Sequence, residues 1–520
     1  MLLESLLEAR ASQAPERVAL VAGGRRVTWG ELEAQSNRLG RALVRLGVRR
    51  GDRVAIWLDN SVEAVSAIFA ALKAGACFMM INSGTRPQKL GYLLDDARAR
   101  ALVLPARKLG PLVGAVADRP HLGTLLTVGG AAIPVAGKQV IALEEAAQGE
   151  PDTPPEKRCI DLDLAALLYT SGSTGDPKGV MLSHRNVLSA TRSIVEYLHL
   201  GPGDVLFDVL PLSFGYGLTQ LFSASAVGAR LVVENGMVFP HLALTRLCEE
   251  RATGFAIVPT TAAILLGLDL GRYDLSSLRY LTNAGAGLPP DQARRLRAAL
   301  PHVKLYCMYG QTECLRTLYL EPDQVDLRPG SVGRGMPNQE LFLVDEQGRE
   351  VGPAEPGELV VRGAHVMRGY WGQPAETAKK LRPLDGAIRE RENIPEDEKA
   401  LYTGDLFRRD GEGYFYFVGR TDEVFKSRGE KVSPYEVESA LYGLDGVAEA
   451  AVVGVPDPML GHSVKAVVVR KPGCVLGAQD IRRYCAGRLD GHMVPDVIEF
   501  RDELPKNERG KITRRALLGG

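Results

Sequence analysis

Strand-like and helix-like segments alternate along most of this chain of 520 residues. Residues 53–58, RVAIWL, form a short apolar run, and residues 62–73 have the apolar spacing of a helix that ends before Gly75. From Leu164 the alternation resumes, and helix-length stretches separate the segments ALLYT, DVLFDVLP, ARLVVE, GFAIVP and LRYLTNAG. Strands that alternate with helices usually pair in parallel, with helices on both faces of the sheet. The pattern therefore predicts an α/β fold built of parallel, doubly covered sheets.

The pattern changes after about Ser331. Three short segments bounded by Gly, Pro and Asp predict a small antiparallel β unit: ELFLVDEQGREV, GELVVRG and GYFYFVGR. The charged stretch 382–400 interrupts this unit, and we interpret it as a solvated loop insertion. From Thr421 helix-like and strand-like segments mix again, which is typical of a compact α+β domain. We expect a large N-terminal domain of βα-layered subdomains plus the small β unit, residues 1–420, and a small, mobile α+β C-terminal domain, residues 421–520.

The composition excludes several classes of protein. Hydrophobic residues make up 45% and charged residues 24% of the chain, so it can bury large cores and is not a disordered protein. Basic and acidic residues both number 63, so no basic excess indicates a nucleic acid as partner. The seven cysteines lack the two-residue spacing of zinc or redox motifs, which predicts reduced thiols and a cytoplasmic location. The apolar stretch 65–81 contains Lys73, and we interpret it as a buried helix running into a strand and not as a membrane span.

The most informative segment is YTSGSTGDPKGVMLSH, residues 169–184, which follows the apolar run AALL. It combines hydroxyl side chains, glycines and one cation: Thr170, Ser171, Gly172, Ser173, Thr174, Gly175 and Lys178. Backbone N–H groups, hydroxyls and a cation are the groups that bind a polyphosphate. The segment is not the common P-loop, because Pro177 precedes the lysine and Gly179 follows it. It predicts a phosphate-binding loop rather than a flexible connector.

These residues resemble those of the AMP-forming acyl-activating enzymes, a superfamily of acyl-CoA synthetases, adenylation domains and luciferases. The resemblance spans nearly the whole chain. It includes, in the order and spacing of the family, YGQTE (309–313), GELVVRG (357–363), GYW (369–371), YTGD (402–405), GRTDEVFKSRGEKVSPYEVE (419–438) and GKI (510–512). It implies that ATP activates a small-molecule carboxylic acid to an acyl-adenylate with release of pyrophosphate, and that a thiol then accepts the acyl group.

The resemblance implies three catalytic residues. Lys511 is expected to bridge the substrate carboxylate and the α-phosphate and to stabilise the charge that develops in the transition state. Thr312 is expected to help bind the α-phosphate. Glu313 is expected to contact Mg²⁺, which prefers hard oxygen ligands together with phosphate.

The resemblance also implies how the nucleoside is bound. The segments expected to line the adenine are Gly285, Ala286 and Gly287 together with Tyr309 and Gly310. Asp405 and Arg420 resemble the ribose-binding pair, since an ionised carboxylate can accept hydrogen bonds from both ribose hydroxyls.

Asp422 resembles the hinge of the family, in which the C-terminal domain rotates between two half-reactions. The first orientation is expected to bring Lys511 to the site. The second is expected to turn Lys426, Gly429 and Lys431 towards the adenylate or the pantetheine arm of the thiol.

The acyl pocket is expected around the segment PLSFGYGLTQ, residues 211–220. Its candidate residues are mainly apolar, with a few hydroxyls and one amide: Phe214, Gly215, Tyr216, Thr260, Thr261, Asn283, Ala284 and Leu315. Amino-acid-activating relatives place an aspartate where this chain has Gly215. An unpaired ammonium in an apolar pocket is costly, so we expect an acid other than an α-amino acid. Aryl, alicyclic and medium-length acyl acids all fit this description.

The sequence leaves several classes of acceptor for the acyl group possible. CoA is the first expectation, and the phosphopantetheine of an acyl carrier protein presents the same thiol arm. An amine acceptor would give an amide. A non-catalytic acyl or nucleotide sensor is expected to lack Lys511, Glu313 or the Thr/Ser loop, and all of these are present. Luciferase-like oxidation is a further alternative, which depends on the substrate more than on an added motif.

Overall fold

The computed structural model describes residues 1–130, 133–170, 177–506 and 512–518. The helices in these ranges are α1 (Glu4–Gln13), α2 (Trp29–Arg45), α3 (Val62–Lys73), α4 (Pro87–Asp96), α5 (Ala106–Val116), α6 (Leu143–Ala147), α7 (His184–Leu198), α8 (Gly215–Val227), α9 (Pro240–Glu249), α10 (Pro259–Leu266), α11 (Pro290–Ala299), α12 (Pro374–Lys380), α13 (Gly386–Glu392), α14 (Pro434–Tyr442) and α15 (Ala478–Ala486).

The strands in the same ranges are β1 (Val18–Ala22), β2 (Arg25–Thr28), β3 (Arg53–Ile56), β4 (Cys77–Met80), β5 (Ala99–Pro105), β6 (Thr124–Val128), β7 (Gln139–Ala142), β8 (Leu164–Thr170), β9 (Lys178–Ser183), β10 (Val205–Asp208), β11 (Arg230–Val233), β12 (Gly254–Ile257), β13 (Tyr280–Asn283), β14 (Lys304–Tyr309), β15 (Leu318–Leu320), β16 (Ser331–Gly335), β17 (Gln339–Val344), β18 (Gly357–Gly363), β19 (Gly369–Tyr370), β20 (Leu381–Pro383), β21 (Lys399–Arg409), β22 (Phe415–Arg420), β23 (Phe425–Ser427), β24 (Glu430–Val432), β25 (Val447–Asp457), β26 (Gly461–Arg470) and β27 (Val497–Phe500).

Helix α3 is defined by a capping serine, an apolar surface and a glycine at its end. The side chain of Ser61 accepts a hydrogen bond from the backbone N–H of Ala64 and so caps the first turn, a contribution of about 1 kcal/mol. The helix is apolar nearly all round, and Phe69 at its centre is fully buried. Gly75 follows with a φ of 76° and turns the chain into β4. The predicted helix over residues 62–73 is confirmed, as is the interpretation of residues 65–81 as a buried helix running into a strand.

The first sheet has eight strands in the described ranges, in the order β19-β9-β8-β4-β3-β5-β6-β7. The strands from β8 to β7 pair in parallel, while β9 and β19 add on antiparallel. Along β3, Val54 and Ile56 face the main hydrophobic core and Ala55 faces a second core. Alternate residues of a strand point to opposite faces, so this sheet is covered on both sides, as the sequence predicts.

The second sheet runs through β17-β18-β21-β22-β16-β15-β14-β13-β12-β10-β11-β1-β2, with β20 paired to β21. Its central strands, β10 to β14 with β1, pair in parallel, apart from the antiparallel edge strand β2. Beyond β14 the pairing is antiparallel. The predicted small antiparallel β unit is present, but it is continuous with the large sheet, because β16 pairs with β15 on one side and β22 on the other.

The interpretation of residues 382–400 as a solvated loop was wrong. The stretch contains helix α13, and Leu384, Ile388 and Ile394 are buried against Phe342 and Tyr402 of the β unit. These three apolar side chains are interspersed among charged residues, so composition alone hides them. These buried side chains pack residues 382–400 against the antiparallel β unit.

The C-terminal region is an α+β unit. The hairpin β23–β24 leads into α14, and the three-stranded sheet β25-β26-β27 packs with α14 and α15 around Val432, Val452 and Ile481. The chain is thus a mixed α/β molecule with a large N-terminal and a small C-terminal part. Across the described ranges, none of the helices combines the length and the hydropathy needed to span a bilayer.

Candidate active site

The predicted site residues gather at one edge of the second sheet. β12, β13 and β14 are neighbouring parallel strands, in register with Ile257 beside Asn283 and Asn283 beside Cys307. Parallel strands present their carboxyl ends at the same edge, where α/β sheets bind their ligands. The segments that leave these strands, 258–261, 284–287 and 310–316, therefore lie side by side.

A carboxylate with three donors stands at the centre of this edge. Tyr309 Oη and Gln311 Nε2 each donate to Asp405 Oδ2 at 2.6 Å, and Arg420 Nη1 lies 3.3 Å from Oδ1. Burial, with the charge of Asp405 adding to it, raises the pKa of Tyr309 well above its usual value, so the phenol stays a donor. The structure brings together Tyr309, which the sequence predicts at the adenine, and Asp405 and Arg420, which it predicts at the ribose. Gln311, which sequence reasoning missed, completes the group.

Lys380 is a second group that sequence reasoning missed. Its ammonium at the end of α12 donates to the carbonyl of Thr403 at 2.8 Å, two residues before Asp405. Burial and the nearby Arg420 lower the pKa of Lys380, while the carboxylates of Glu313 and Asp405 act in the opposite direction. Because Lys380 lies among other charged residues at the end of a helix, the local sequence does not indicate that its side chain points towards the site.

Glu313 is fixed by an aromatic neighbour. Tyr370 Oη donates to Glu313 Oε1 at 2.8 Å, and burial raises the pKa of this phenol far above its usual range. Lys178 lies beside the same ring, 5.6 Å from its centroid, and its ammonium pairs with Glu376 at 2.5 Å. Thr312 is half-buried in the turn that precedes Glu313.

The phosphate-loop prediction falls partly outside the described residues. Thr170 and Lys178 stand opposite each other in the β8–β9 pair. The other predicted loop residues and the predicted catalytic lysine lie outside the described ranges: Ser171, Gly172, Ser173, Thr174, Gly175 and Lys511.

The predicted adenine segments are in close contact with their neighbours. A Cβ on Gly310 would lie 2.5 Å from the carbonyl oxygen of Leu315, so only glycine fits this turn. A Cβ on Gly287 would lie 2.8 Å from Oη of Tyr435, which belongs to α14 of the C-terminal part. Asn283 Nδ2 donates to the carbonyl of Ala286 at 3.1 Å and holds the intervening turn.

The predicted acyl-pocket residues meet at the N-terminus of α8. The ring of Phe214 packs against Gly285, and the side chain of Leu315 packs against Gly215. Tyr216 is buried, and its Oη lies 2.6 Å from the carbonyl oxygen of Thr282.

The other pocket candidates differ in burial. Ala284 and Thr261 are buried, and so is Asn283, whose Oδ1 has no hydrogen-bond partner. Thr260 is exposed on the first turn of α10, and among the described residues no hydrogen bond joins its side chain to the pocket.

Arg316 is the most unexpected residue of this pocket. Its side chain is 2% exposed, and its Cζ lies 4.8 Å from the centroid of the Tyr216 ring. Sequence reasoning missed it, although a lone cation within the otherwise apolar and hydroxyl-bearing run CLRTLYL was a signal that could have found it.

The predicted hinge residue Asp422 lies beside the site, whereas the predicted second-step residues lie apart from it. Arg420 Nε donates to Asp422 Oδ1 at 2.8 Å, so Arg420 joins the site carboxylate Asp405 to the predicted hinge. Lys426, Gly429 and Lys431 lie on the exposed hairpin β23–β24. The structure does not bring these three to the other site residues.

This chain is similar to known proteins over most of its length. A family model for AMP-binding enzymes matches residues 7–371, and one for the AMP-binding enzyme C-terminal domain matches residues 436–511. A 3-hydroxybenzoate–CoA ligase of Aromatoleum sp. (strain CIB) is 33% identical over 508 residues, 96% of this chain and 92% of that protein.

Two solved structures are similar over the full length. ATP-bound MatB from Rhodopseudomonas palustris is 29% identical with a TM-score of 0.87, covering 100% of this chain and 98% of the other. The anthranilate CoA ligase AuaEII in complex with anthranoyl-AMP is also 29% identical with a TM-score of 0.87, covering 99% and 96%.

Proposed function

The chain belongs to the AMP-binding enzyme family, and from this premise we propose that it is an AMP-forming acid–thiol ligase that uses CoA. The single observation that carries the proposal is the carboxylate of Asp405, held by Tyr309, Gln311 and Arg420 at the carboxyl edge of the sheet. An ionised carboxylate at this place suits the two ribose hydroxyls of ATP. The adenine then lies against residues 285–287, 309 and 310.

The chemistry has two steps. An oxygen of the substrate carboxylate attacks the α-phosphorus of ATP, the bond from that phosphorus to pyrophosphate breaks, and the acyl-adenylate forms. The thiolate sulfur then attacks the acyl carbon, AMP leaves, and a thioester results. In this proposal Lys511 and Thr312 stabilise the negative charge on the α-phosphate during the first step, while Thr170, Lys178 and residues 171–175 hold the outer phosphates.

The residues present fit Mg²⁺. Tyr370 occupies one carboxylate oxygen of Glu313, and among the described residues no hydrogen bond occupies the other. A carboxylate together with phosphate oxygens is the usual way in which Mg²⁺ is held at a nucleotide. Glu313 would contact the ion, which neutralises charge on the phosphates when bound.

We further propose that residues 421–520 rotate about Asp422 relative to residues 1–420. Two exposed ion pairs between the parts support this, Lys431 with Glu346 at 2.7 Å and Arg408 with Glu436 at 3.4 Å, since exposed pairs cost little to break. The rotation would turn the hairpin with Lys426 and Gly429 towards the acyl-adenylate for the thiol step.

An α-amino acid is a poor substrate for this pocket. Asp208 is fully buried at the end of β10, and burial raises its pKa well above the usual value, which disfavours the negative charge that an ammonium group would need as a partner. Gly215 supplies no carboxylate either.

The seven cysteines are all free, and ATP and CoA are cytoplasmic metabolites, which together favour a cytoplasmic location. A carrier-protein phosphopantetheine is the alternative thiol acceptor, because it presents the same arm. The named ligases among the similar proteins support CoA.

The test is a pyrophosphate-release screen over carboxylic acids with ATP and Mg²⁺. It is repeated with CoA, a carrier protein bearing phosphopantetheine, and an amine as acceptors. We expect pyrophosphate and AMP, with a thioester formed from CoA. Formation of ADP in place of AMP contradicts the proposal.

A further inference from the structure

Arg316 is a buried cation that has no counter-charge among the described residues. It lies between Leu315 and β15, and only 2% of its surface is exposed. Within the part of the chain that the structure describes, no carboxylate oxygen lies within 4.0 Å of its guanidinium, and its Nε has no hydrogen-bond partner. Burial of an unpaired charge opposes folding strongly, so proteins normally place a carboxylate beside such a group. The absence of a carboxylate beside Arg316 therefore requires an explanation.

The neighbours of Arg316 are neutral. The guanidinium lies against the face of Tyr216, and the hydroxyl of Tyr197 on α7 is a hydrogen-bonding neighbour of Arg316 that carries no charge. Burial raises the pKa of Tyr197 to about 12 and that of Tyr216 further, so neither phenol ionises under ordinary conditions. The ring face of Tyr216 attracts a cation, but this attraction is weaker than that of a full negative charge.

Among the described residues, the carboxyl groups of Asp208 and Glu313 do not pair with Arg316. Burial raises the pKa of Asp208 well above its usual value, which disfavours the charged carboxylate. Its Oδ1 accepts a hydrogen bond from the backbone N–H of Leu210 at 3.0 Å, and its Oδ2 has no partner among the described residues. Glu313, three residues before Arg316, is bound by Tyr370. The counter-charge of Arg316 therefore has to come from outside the described protein residues.

The position of Arg316 points to the acyl pocket. Tyr216, against which it lies, and Leu315, its neighbour in the chain, are both among the residues predicted to line that pocket. Asn283, another predicted pocket residue, is buried, and its Oδ1 has no hydrogen-bond partner among the described residues. A ligand that enters here meets one guanidinium and one amide in otherwise apolar and aromatic surroundings.

We propose that Arg316 binds a second carboxylate of the substrate, so that the acid activated by this enzyme is a dicarboxylic acid. The inference rests on the proposed function and names its substrate class. A planar guanidinium and a carboxylate form two parallel hydrogen bonds, and pairing is strongest where water is excluded. A monocarboxylic acid leaves Arg316 unpaired in the complex and binds more weakly for that reason.

The experiment compares shape-matched pairs of acids in the pyrophosphate-release assay. The pairs are glutarate with pentanoate, adipate with hexanoate, and isophthalate with 3-methylbenzoate, which differ in one carboxylate at the far end. We expect kcat/KM of the wild-type enzyme to favour the dicarboxylate of at least one pair by about tenfold or more. The Arg316→Met variant keeps the length of the side chain without its charge, and it should reverse that preference.

The kinetic parameters distinguish a specificity role from general damage. A contact remote from the reacting atoms is the same in ground and transition states, so Arg316→Met should raise KM for the dicarboxylate and leave kcat nearly unchanged. Arg334→Met is the matched control, because Arg334 also lies over a tyrosine ring, that of Tyr414, but is exposed. It should change neither preference nor KM.

Three results would overturn the inference. The first is a wild-type preference for the monocarboxylate of every pair, the second is an unchanged preference in Arg316→Met, and the third is pyrophosphate release with neither member of any pair. In the first two cases pyrophosphate is still formed and the proposed function stands. The wider acid screen, with AMP as its product, tests the proposed function separately.

Discussion

Asp405 and Arg420 stand directly opposite each other across β21 and β22, and the same arginine binds Asp422 two residues later. One guanidinium thereby connects the carboxylate proposed to bind ribose with the residue proposed as the hinge. The nucleoside site and the start of the C-terminal part thus share a side chain.

Replacement of Asp405 by Asn should weaken ATP binding. The change keeps the shape of the side chain but removes the negative charge that holds Tyr309, Gln311 and Arg420 and that we propose to accept hydrogen bonds from ribose. A charge-assisted hydrogen bond contributes roughly 1.5–3 kcal/mol, so KM for ATP should rise about 10- to 100-fold in a pyrophosphate-release assay. Asp410→Asn is the control, because Asp410 also pairs with an arginine, Arg328, outside the site. An unchanged KM for ATP in the Asp405 variant would exclude the ribose role.

Replacement of Lys511 by Ala should separate the two half-reactions. Loss of one group that stabilises a transition-state charge lowers the rate by roughly 100- to 1000-fold, so adenylation should slow by that much. Thiolysis of supplied acyl-adenylate should continue at nearly the wild-type rate. Lys506→Ala serves as control, since Lys506 pairs with Glu449. Equal losses in both steps would contradict the division of roles.

Replacement of Asp422 by Pro should impair the thiol step more than adenylation. Proline fixes φ and so restricts the backbone change that a rotation requires. Asp422→Ala separates this effect from loss of the ion pair with Arg420, because it removes the carboxylate and leaves φ free. Single-turnover measurements of both steps are the test. If the proline variant matches the alanine variant in both rates, the rotation axis is elsewhere.

His365 should make the fold sensitive to mild acid. The ring is fully buried, neither nitrogen has a hydrogen-bond partner in the described part of the chain, and burial lowers its pKa to about 4 from an ordinary value near 6.5. The unfolded chain therefore binds a proton between pH 6.5 and 4 that the folded chain does not, and stability falls as the pH falls through this range.

The expected contribution of His365 is about 2 kcal/mol lost between pH 7 and pH 5. Urea unfolding at the two pH values measures it. The His365→Gln variant should lose about 2 kcal/mol less than the wild type over this interval, whereas a variant at the exposed His121 should behave like the wild type. Identical pH dependence in the His365 variant and the wild type would show that the ring is not held neutral.

Local signals in the sequence were sufficient for elements such as α3. Its cap, its apolar run and the glycine after it all lie within fifteen residues of one another, so the boundary could be predicted from that segment. Helix α13 was missed because the side chains that cover Ile388, such as Phe342 and Tyr402, come from strands before and after it in the chain. Burial that depends on distant strands leaves no local signal.

The same distinction separates the predicted site residues from those that were missed. Tyr309, Asp405 and Arg420 belong to motifs that can be recognised, and the structure brings them together. Gln311 stands inside such a motif, yet its contact with Asp405 follows only from the approach of β14 to β21. Lys380 carries a charge that looks like a surface charge in the sequence, and only the packing of neighbouring elements turns it inward. Arg316 had a local signal, a lone cation in an otherwise apolar and hydroxyl-bearing run, that was not used.

The contact of Tyr435 with Gly287 has a mechanical consequence. The hydroxyl of a ring in the smaller part of the molecule rests where position 287 leaves no space for even one methyl group. An added methyl group there would force the Tyr435 hydroxyl out of its present position. The bare backbone at Gly287 therefore accommodates a side chain of the smaller part at the same place where we propose that the nucleobase binds.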